Sequence, residues 1–182
     1  IAGADCNALL ERVLSVGTDS IAEGRARYNV LCDSDGGVID DCIIYKERED
    51  KYLLIPNASN SRFVLDWLIG NVGTKDVDII DATECTSMIA LQGPKSREIL
   101  TENSNFDLDS LRSFGCVSTE VFGVESFIGR TGYTGEDGFE IIISAEHGPT
   151  VWKGLELTGA IPCGLGARDV LRLEAGLLLH GS

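Results

Sequence analysis

The clearest pattern of strands and turns in the chain is ARYNVLCDSDGGVIDDCIIYKEREDKYLLIP, residues 26–56. ARYNVLC (26–32) has the alternation of a strand, and DSDGG follows it as a glycine-rich turn. VIDDCIIYK (38–46) returns as a second strand, ERED turns again, and KYLLIP (51–56) is the third. Because short turns join antiparallel neighbours, the stretch predicts an antiparallel meander.

Helices flank this meander. Asp5 is placed to cap a helix that ends near Leu14. After the third strand, Ser59 is placed to begin an amphipathic helix. The apolar residues of that second helix are Phe63, Trp67 and Leu68.

The second half of the chain repeats this mixture of strands and helices. VDIIDA and SMIALQ predict two strands, and Pro94 suits the first turn of the helix PKSREIL. Three more strands are predicted in CVSTEVFG, VESFIGR and FEIIIS, and helices from Pro149 to Leu157 and from about Ala167 to Leu179. The pattern predicts an α+β fold with antiparallel sheets and packed helices. We expect residues 1–182 to form one region, with two intertwined subdomains divided near 81–86 as the alternative.

Composition limits the classes of function. The chain has 182 residues, 43% of them hydrophobic, which suffices for a sizeable core. Its net charge is −14, which disfavours nucleic acid and anionic membrane surfaces as partners. No apolar run approaches the roughly 20 residues that span a bilayer. The first residue, Ile1, leads us to expect a chain excised or truncated from a longer one.

Cysteine and histidine usage argues against a metal centre. The six cysteines contain no C-x-x-C pair, which favours free thiols in a reducing compartment. His147 and His180 lie far apart in the sequence. We therefore expect no metal site and no histidine-activated nucleophile.

The stretch DSDGGVIDD (33–41) carries two adjacent carboxylates. It is not a calcium loop, because Val38 and Ile44 stand where such a loop needs Gly and Glu. Adjacent strand residues point to opposite faces, so if one of Asp40 and Asp41 is in water, the other faces the core or a cleft. That carboxylate then needs a cation, hydrogen-bond donors or a ligand. The alternative is an edge strand with both acids in water.

RTGYTGEDGFEI (130–141) combines turn chemistry with charge. We expect its three glycines to supply backbone freedom at positive φ before a strand. Glu140 lies between Phe139 and Ile141, where a residue faces either solvent or a ligand. The local pattern alone favours a polar outer face.

GLGARDVLRLEAGLLL (164–179) begins with glycines and continues as an amphipathic helix. Arg168 and Arg172 share one face, with Asp169 and Glu174 as nearby partners. One interpretation is a surface network of ion pairs. The other is that Arg168 and the N–H groups of the first turn receive an anion.

Asn57-Ala-Ser59 matches a glycosylation acceptor. Chance matches to this motif are frequent, and the cysteine usage favours a reducing compartment. We interpret it as a strand-end turn and helix cap.

Four motifs together point to a family. YNVLCDSDGGVIDDCIIYK, IALQGP, RTGYTGEDGFEI and PCGLGARDVLRLEAGLLLHG occur in that order from about residue 24 onwards. In sequence and order they resemble the aminomethyltransferase, or T-protein, of the glycine cleavage system. That family is longer at both ends, so we expect its C-terminal barrel domain to be missing.

The resemblance implies an enzyme and its partners. It implies a folate-binding aminomethyltransferase-like fold with a ferredoxin-like subdomain. The activity implied is transfer of an aminomethyl group from the lipoylated H-protein to tetrahydrofolate, the co-substrate, giving 5,10-methylenetetrahydrofolate and ammonia. The compartment implied is the bacterial cytoplasm or the mitochondrial matrix.

The resemblance also implies roles for five residues. Asp41 matches the catalytic carboxylate beside the reacting pteridine nitrogen. Glu140 matches the acid that binds the pterin, and Arg168 an arginine that contacts folate. Tyr28 and Tyr133 match positions that line the same pocket. These roles require Asp41, Glu140 and Arg168 to converge around one reduced pterin.

Two other functions are compatible with the motifs. One is the folate half of a dimethylglycine or sarcosine dehydrogenase-like enzyme, or a folate-dependent demethylase. The other is a non-catalytic folate-binding module, as in relatives that modify tRNA or assemble iron–sulfur clusters. The joint presence of Asp41, Glu140 and Arg168 argues against the module.

Overall fold

The computed structural model describes residues 1–181. The chain divides into two compact units, Ile1–Asp81 and a second that begins at Ala82. Each unit contains one antiparallel sheet and helices, so the predicted α+β class is confirmed. No helix within residues 1–181 is long and apolar enough to cross a membrane.

The first unit is built on the predicted meander. Its strands are β1 Arg25–Cys32, β2 Val38–Arg48 and β3 Lys51–Pro56. They pair antiparallel in the order β1-β2-β3. The alternative for Asp40 and Asp41, an edge strand with both acids in water, is wrong, because β2 is the central strand and Asp40 is fully buried.

Two helices contribute to the core of the first unit. They are α1 Cys6–Val13 and α2 Ser61–Val72. The core contains apolar side chains from both helices and from the sheet: Leu9, Leu10, Val13, Leu31, Ile44, Val64 and Leu68. Burial of the apolar stripe of α1 follows its helical period.

The ends of these helices differ from the predictions. Asp5 is at the N-cap position of α1, but its carboxylate makes no cap and instead accepts the Asp76 N–H at 2.8 Å. Ser59 lies in a short 3-10 turn, and α2 begins at Ser61. Phe63 is 59% exposed, because the buried stripe of α2 passes through Val64 instead.

The predicted strand VDIIDA (77–82) does not form. Only Asp78 pairs, through a single antiparallel bridge to Ala2. Val77 and Ile79 are partly buried against the core of the first unit, whereas Ile80 is 78% exposed.

The second unit contains a four-stranded sheet. Its strands are β4 Thr86–Gln92, β5 Cys116–Val121, β6 Val124–Gly129 and β7 Gly138–Ser144. The order is β4-β7-β6-β5, and every neighbouring pair is antiparallel. β7 is thus an inner strand, and the loop 130–137 joins it to β6.

The helices of the second unit are α3 Ser96–Thr101, α4 Gly148–Leu157 and α5 Leu165–Glu174. Side chains of α3 and α4 join one face of the sheet in a core that includes Leu91, Leu100, Ile128, Phe139, Ile141, Val151 and Leu155. None of the α5 side chains is buried. Pro94 precedes the first residue of α3 by two positions, so it does not lie in the first helical turn as predicted.

Helix α5 ends five residues earlier than predicted. Gly176 follows it with φ +70°, and its N–H donates to the Leu173 carbonyl at 3.0 Å. The Leu177 N–H donates to the Arg172 carbonyl at 2.9 Å. These two bonds form a Schellman motif, which stops the helix where a glycine permits a positive φ.

Candidate functional site

Asp40 is a fully buried carboxylate on β2. Its Oδ2 accepts the backbone N–H of Asn57 at 2.9 Å. Its Oδ1 accepts the side-chain amides of Asn57 at 2.9 Å and of Asn60 at 3.1 Å. These donors offset the cost of burying the charge, as the sequence required of one of the two acids.

Asp41, the next residue, is half-buried and has different partners. Its Oδ2 accepts the Tyr28 hydroxyl at 3.0 Å, and its Oδ1 accepts the Asn57 side-chain amide at 2.6 Å. Tyr28 lies on β1 opposite Ile43, which is two residues from Asp41 and on the same face of β2. Two of the predicted site residues, Asp41 and Tyr28, are therefore in direct contact.

Asn57 is the residue of this cluster that the sequence did not reveal. Its side chain makes no helix-cap bond, although it lies at the N-cap position of the short 3-10 turn, so the cap interpretation is wrong. Pro56 pairs with Cys42, and this register brings the residue after β3 beside Asp41. The register of the meander was the signal that could have found Asn57.

Cys42 follows Asp41 on β2, and its buried side chain belongs to the core of the first unit. Burial, followed by the charges of Asp40 and Asp41, raises the pKa of its thiol far above the ordinary value. The thiol therefore stays protonated at neutral pH and is unsuited to act as a nucleophile.

Glu140 lies on β7 and is buried. It pairs with Ala90 of β4 on one side and with Gly129 of β6 on the other. Its Oε2 accepts the hydroxyl of the buried Thr131 at 2.6 Å. A side chain held in this way is not part of a solvated outer face, so the interpretation favoured by the local pattern is wrong.

The loop 130–137 is shaped around the side chain of Gln92. The Gln92 amide donates to the carbonyls of Thr131 at 3.1 Å and Phe139 at 3.3 Å. A Cβ at Gly132 or Gly138 would overlap this amide. Of the three glycines in the motif only Gly135 has a positive φ, +75°. Gly132 and Gly138 instead leave space for the Gln92 amide. The prediction that all three glycines supply backbone freedom at positive φ is therefore wrong for these two.

The arginines of α5 have separate partners. The guanidinium of Arg168 lies 4.8 Å from the centroid of the Tyr133 ring, a cation–π distance. The Tyr133 hydroxyl donates to the carbonyl of Leu178. Arg172 pairs with Asp169 at 2.8 Å and donates to the Leu177 carbonyl at 3.3 Å. Arg172 thus makes the predicted ion pair, whereas Arg168 lies against Tyr133, another of the predicted site residues.

The predicted site residues fall into two groups. Asp41 and Tyr28 are in contact in the first unit. In the second unit, the loop 130–137 contacts Glu140 through Thr131 and Arg168 through Tyr133. Convergence of the two groups on one pterin stays a prediction.

These features define an α+β protein with hydrogen-bonded carboxylates in both sheets, two in the first and one in the second. Residues 1–182 match the GCVT N-terminal domain, and the chain belongs to that family. It is 41% identical to the aminomethyltransferase of Streptomyces coelicolor and 40% identical to that of Staphylococcus saprophyticus. Each match covers 100% of this chain and 50% of the relative, so the chain spans about half the length of these curated relatives.

Two solved structures are similar to the chain. The glycine cleavage system aminomethyltransferase T from Bartonella henselae matches with a TM-score of 0.90 and 30% identity, over 99% of this chain and 48% of that one. A heterotetrameric sarcosine oxidase from Corynebacterium matches with a TM-score of 0.63 and 20% identity, over 87% of this chain and 76% of that one. The second likeness concerns the fold alone.

Proposed function

We propose that the protein transfers the aminomethyl carbon from the lipoyl arm of the H-protein to tetrahydrofolate. The products are 5,10-methylenetetrahydrofolate, ammonia and the reduced lipoyl arm. The observation that supports this most is the Asp41 carboxylate, held by Tyr28 and Asn57, in a chain of the GCVT N-terminal domain family. The relatives named aminomethyltransferase and the Bartonella structure agree with it.

The proposed transfer balances without an oxidant or reductant. The carbon loses its bonds to the lipoyl sulfur and to the amine nitrogen, and it gains bonds to two folate nitrogens. The two hydrogens of those nitrogens end on the thiol and on ammonia. The oxidation level of the carbon is unchanged, so the protein has to supply only binding, charge stabilisation and proton transfer.

In this proposal Asp41 acts at the reacting carbon. Loss of ammonia leaves a positively charged carbon, stabilised by the heteroatom that stays bound to it, and a nearby carboxylate stabilises that charge further. The same carboxylate orients or deprotonates the attacking folate nitrogen. The donors Tyr28 and Asn57 hold both oxygens of Asp41, which fixes the direction in which the carboxylate faces.

Glu140 and Arg168 bind the folate in this proposal. A pterin edge presents adjacent N–H donors, which a carboxylate accepts in a bidentate way. The bond from Thr131 holds the Glu140 carboxylate in place for that contact. The glutamate tail of folate is anionic, and the exposed Arg168 offers it a local positive charge on a chain whose net charge is −14.

The experiment that tests the proposal uses the protein at its full natural length. The protein is mixed with H-protein carrying the aminomethylated lipoyl arm, with and without tetrahydrofolate, and ammonia and methylenetetrahydrofolate are measured. We expect ammonia release that depends on tetrahydrofolate and matches the folate product in amount. The absence of a folate-dependent product would contradict it. So would release of formaldehyde or a methylene unit from sarcosine or dimethylglycine when these replace the H-protein.

A further inference from the structure

We propose that Asn57 is a positioning residue for Asp41, and that Asp40 in turn holds Asn57. As a statement about catalysis this rests on the proposed function above. The structural observation is that one side-chain amide serves two adjacent carboxylates: Nδ2 of Asn57 lies 2.9 Å from Oδ1 of Asp40 and 2.6 Å from Oδ1 of Asp41.

The direction of the arrangement follows from its anchors. Asp40 is fully buried and accepts both the backbone N–H and the side-chain amide of Asn57. Asn57 is thereby fixed at two points before it reaches Asp41. The Asp41 carboxylate is half-buried and takes its second donor from Tyr28. Asp40 is thus the fixed end of the cluster, and Asp41 is the end with access to a ligand.

An asparagine suits this position for a chemical reason. Two ionised carboxylates on adjacent residues repel each other, and a shared donor reduces that repulsion. The side-chain amide provides two N–H groups, one for each acid. A hydroxyl has a single hydrogen to donate, and an aspartate would add a third negative charge.

Asn60 offers a matched control. Its side-chain amide also donates to Oδ1 of Asp40, at 3.1 Å, but makes no hydrogen bond to Asp41. Asn57→Ala and Asn60→Ala therefore each remove a donor from the buried Asp40, and both should lower the melting temperature. Only Asn57→Ala also removes a donor from Asp41, so a loss of activity confined to this variant points to Asp41 rather than to Asp40.

The kinetic test compares these variants in the protein at its full natural length, at a temperature where both are folded. For Asn57→Ala we expect kcat at saturating tetrahydrofolate to fall about tenfold or more, because positioning of the reacting group is lost. The Kd for tetrahydrofolate should stay within about twofold, since binding is assigned to other residues. Asn60→Ala should keep kcat within about twofold of wild type. A wild-type kcat in Asn57→Ala, or an equal loss in Asn60→Ala, would overturn the proposal.

A second measurement is independent of activity. The measurement is a thermal double-mutant cycle of Asn57→Ala and Asp41→Ala. The double variant should lower the melting temperature by less than the sum of the two single variants, and the difference should be about 2 °C or more. An additive cycle would overturn the proposal. If the wild type transfers nothing, the proposed function fails, and a coupled cycle still supports Asn57 as the residue that holds Asp41.

Discussion

The guanidinium of Arg130 binds the carboxylate of Asp137 through two hydrogen bonds, with Nε 2.9 Å from Oδ1 and Nη2 2.6 Å from Oδ2. Arg130 also donates to the Leu111 carbonyl at 2.6 Å. The hydrogen bond from Arg130 lowers the pKa of Asp137, and the same bond raises the pKa of Arg130. The pair joins the two ends of the loop 130–137 that leads to Glu140.

This pair predicts a pH-dependent contribution to stability. Since the folded-state pKa of Asp137 is lowered, its contribution is present above the unfolded pKa of about 4 and is lost as pH falls through the folded value. Asp137→Asn should reduce the free energy of unfolding by about 1 kcal/mol at neutral pH, a value kept small because the Asp137 side chain is 42% exposed. In urea unfolding of both proteins, the difference should shrink as the pH is lowered below about 4.

A second ion pair serves as the control for this prediction. Asp66 and Arg62 are 3.2 Å apart, with side chains 55% and 82% exposed. Asp66→Asn should therefore change the free energy of unfolding by less than about 0.5 kcal/mol. A difference between wild type and Asp137→Asn that is the same at every pH would contradict the assignment.

The fit of Gln92 against the glycines predicts a steric effect. Gly138→Ala places a methyl group against the Gln92 side-chain amide, which must then leave its bonds to Thr131 and Phe139. We expect a loss of about 1–3 kcal/mol in the free energy of unfolding. The double variant Gln92→Ala/Gly138→Ala has no such overlap. Gly138→Ala should therefore cost less free energy of unfolding in the Gln92→Ala background than in the wild type.

Gly166→Ala in α5 is the matched control, because the added Cβ meets open space. Helix propensity predicts that this change is neutral or stabilises by up to about 1 kcal/mol. Equal losses in Gly138→Ala and Gly166→Ala would show that the contact with Gln92 is not the cause.

Local patterns predicted most of the strands and helices. The three strands of the meander could be predicted because short turns fix which strands are neighbours. The strand around Phe139 could be predicted because a short run of β-branched residues, Ile141–Ile143, follows a glycine-rich turn. VDIIDA has similar composition but pairs only through Asp78. A strand would have needed a partner strand along its whole length, which the local sequence does not specify.

The candidate site was less predictable. The Asp40–Asp41 pair was noticeable because buried charge requires donors, yet the donor Asn57 lies sixteen residues beyond Asp41 and resembled a helix cap. The end of α5 was missed because the apolar pattern continues through Leu177–Leu179, beyond the glycine that stops the helix. The contacts of Asn57 depend on tertiary packing, and the end of α5 depends on backbone geometry. The periodic pattern of apolar residues specifies neither.

Replacement of Glu140 tests its proposed role in pterin binding. Glu140→Gln keeps an oxygen that can accept the Thr131 hydroxyl, so stability should remain close to wild type. It removes the charge that would accept two pterin hydrogens, so the Kd for tetrahydrofolate should rise about tenfold or more by calorimetry. Glu136→Gln makes the same charge change on the exposed part of the loop and should leave the Kd unaltered. An unchanged affinity in Glu140→Gln would remove Glu140 from the site.

Replacement of Arg168 tests the proposed contact with the folate tail. Arg168→Ala should weaken tetrahydrofolate binding about tenfold at low salt and by less at high salt, because salt screens an exposed charge. Arg172→Ala removes the same charge from α5 but loses the Asp169 pair and the bond to Leu177. It should lower stability and change the Kd by less than about twofold. Equal effects of the two variants on affinity would contradict a specific role for Arg168.

We propose Asp41 as the catalytic carboxylate of a folate-dependent transfer. The most direct measurement is the rate of aminomethyl transfer from the lipoylated carrier to saturating tetrahydrofolate by wild type and Asp41→Asn. We expect Asp41→Asn to lose about a hundredfold or more in kcat, as removal of a general base and charge stabiliser does, while folate binding changes little. Equal rates for the two proteins would exclude Asp41 as the catalyst.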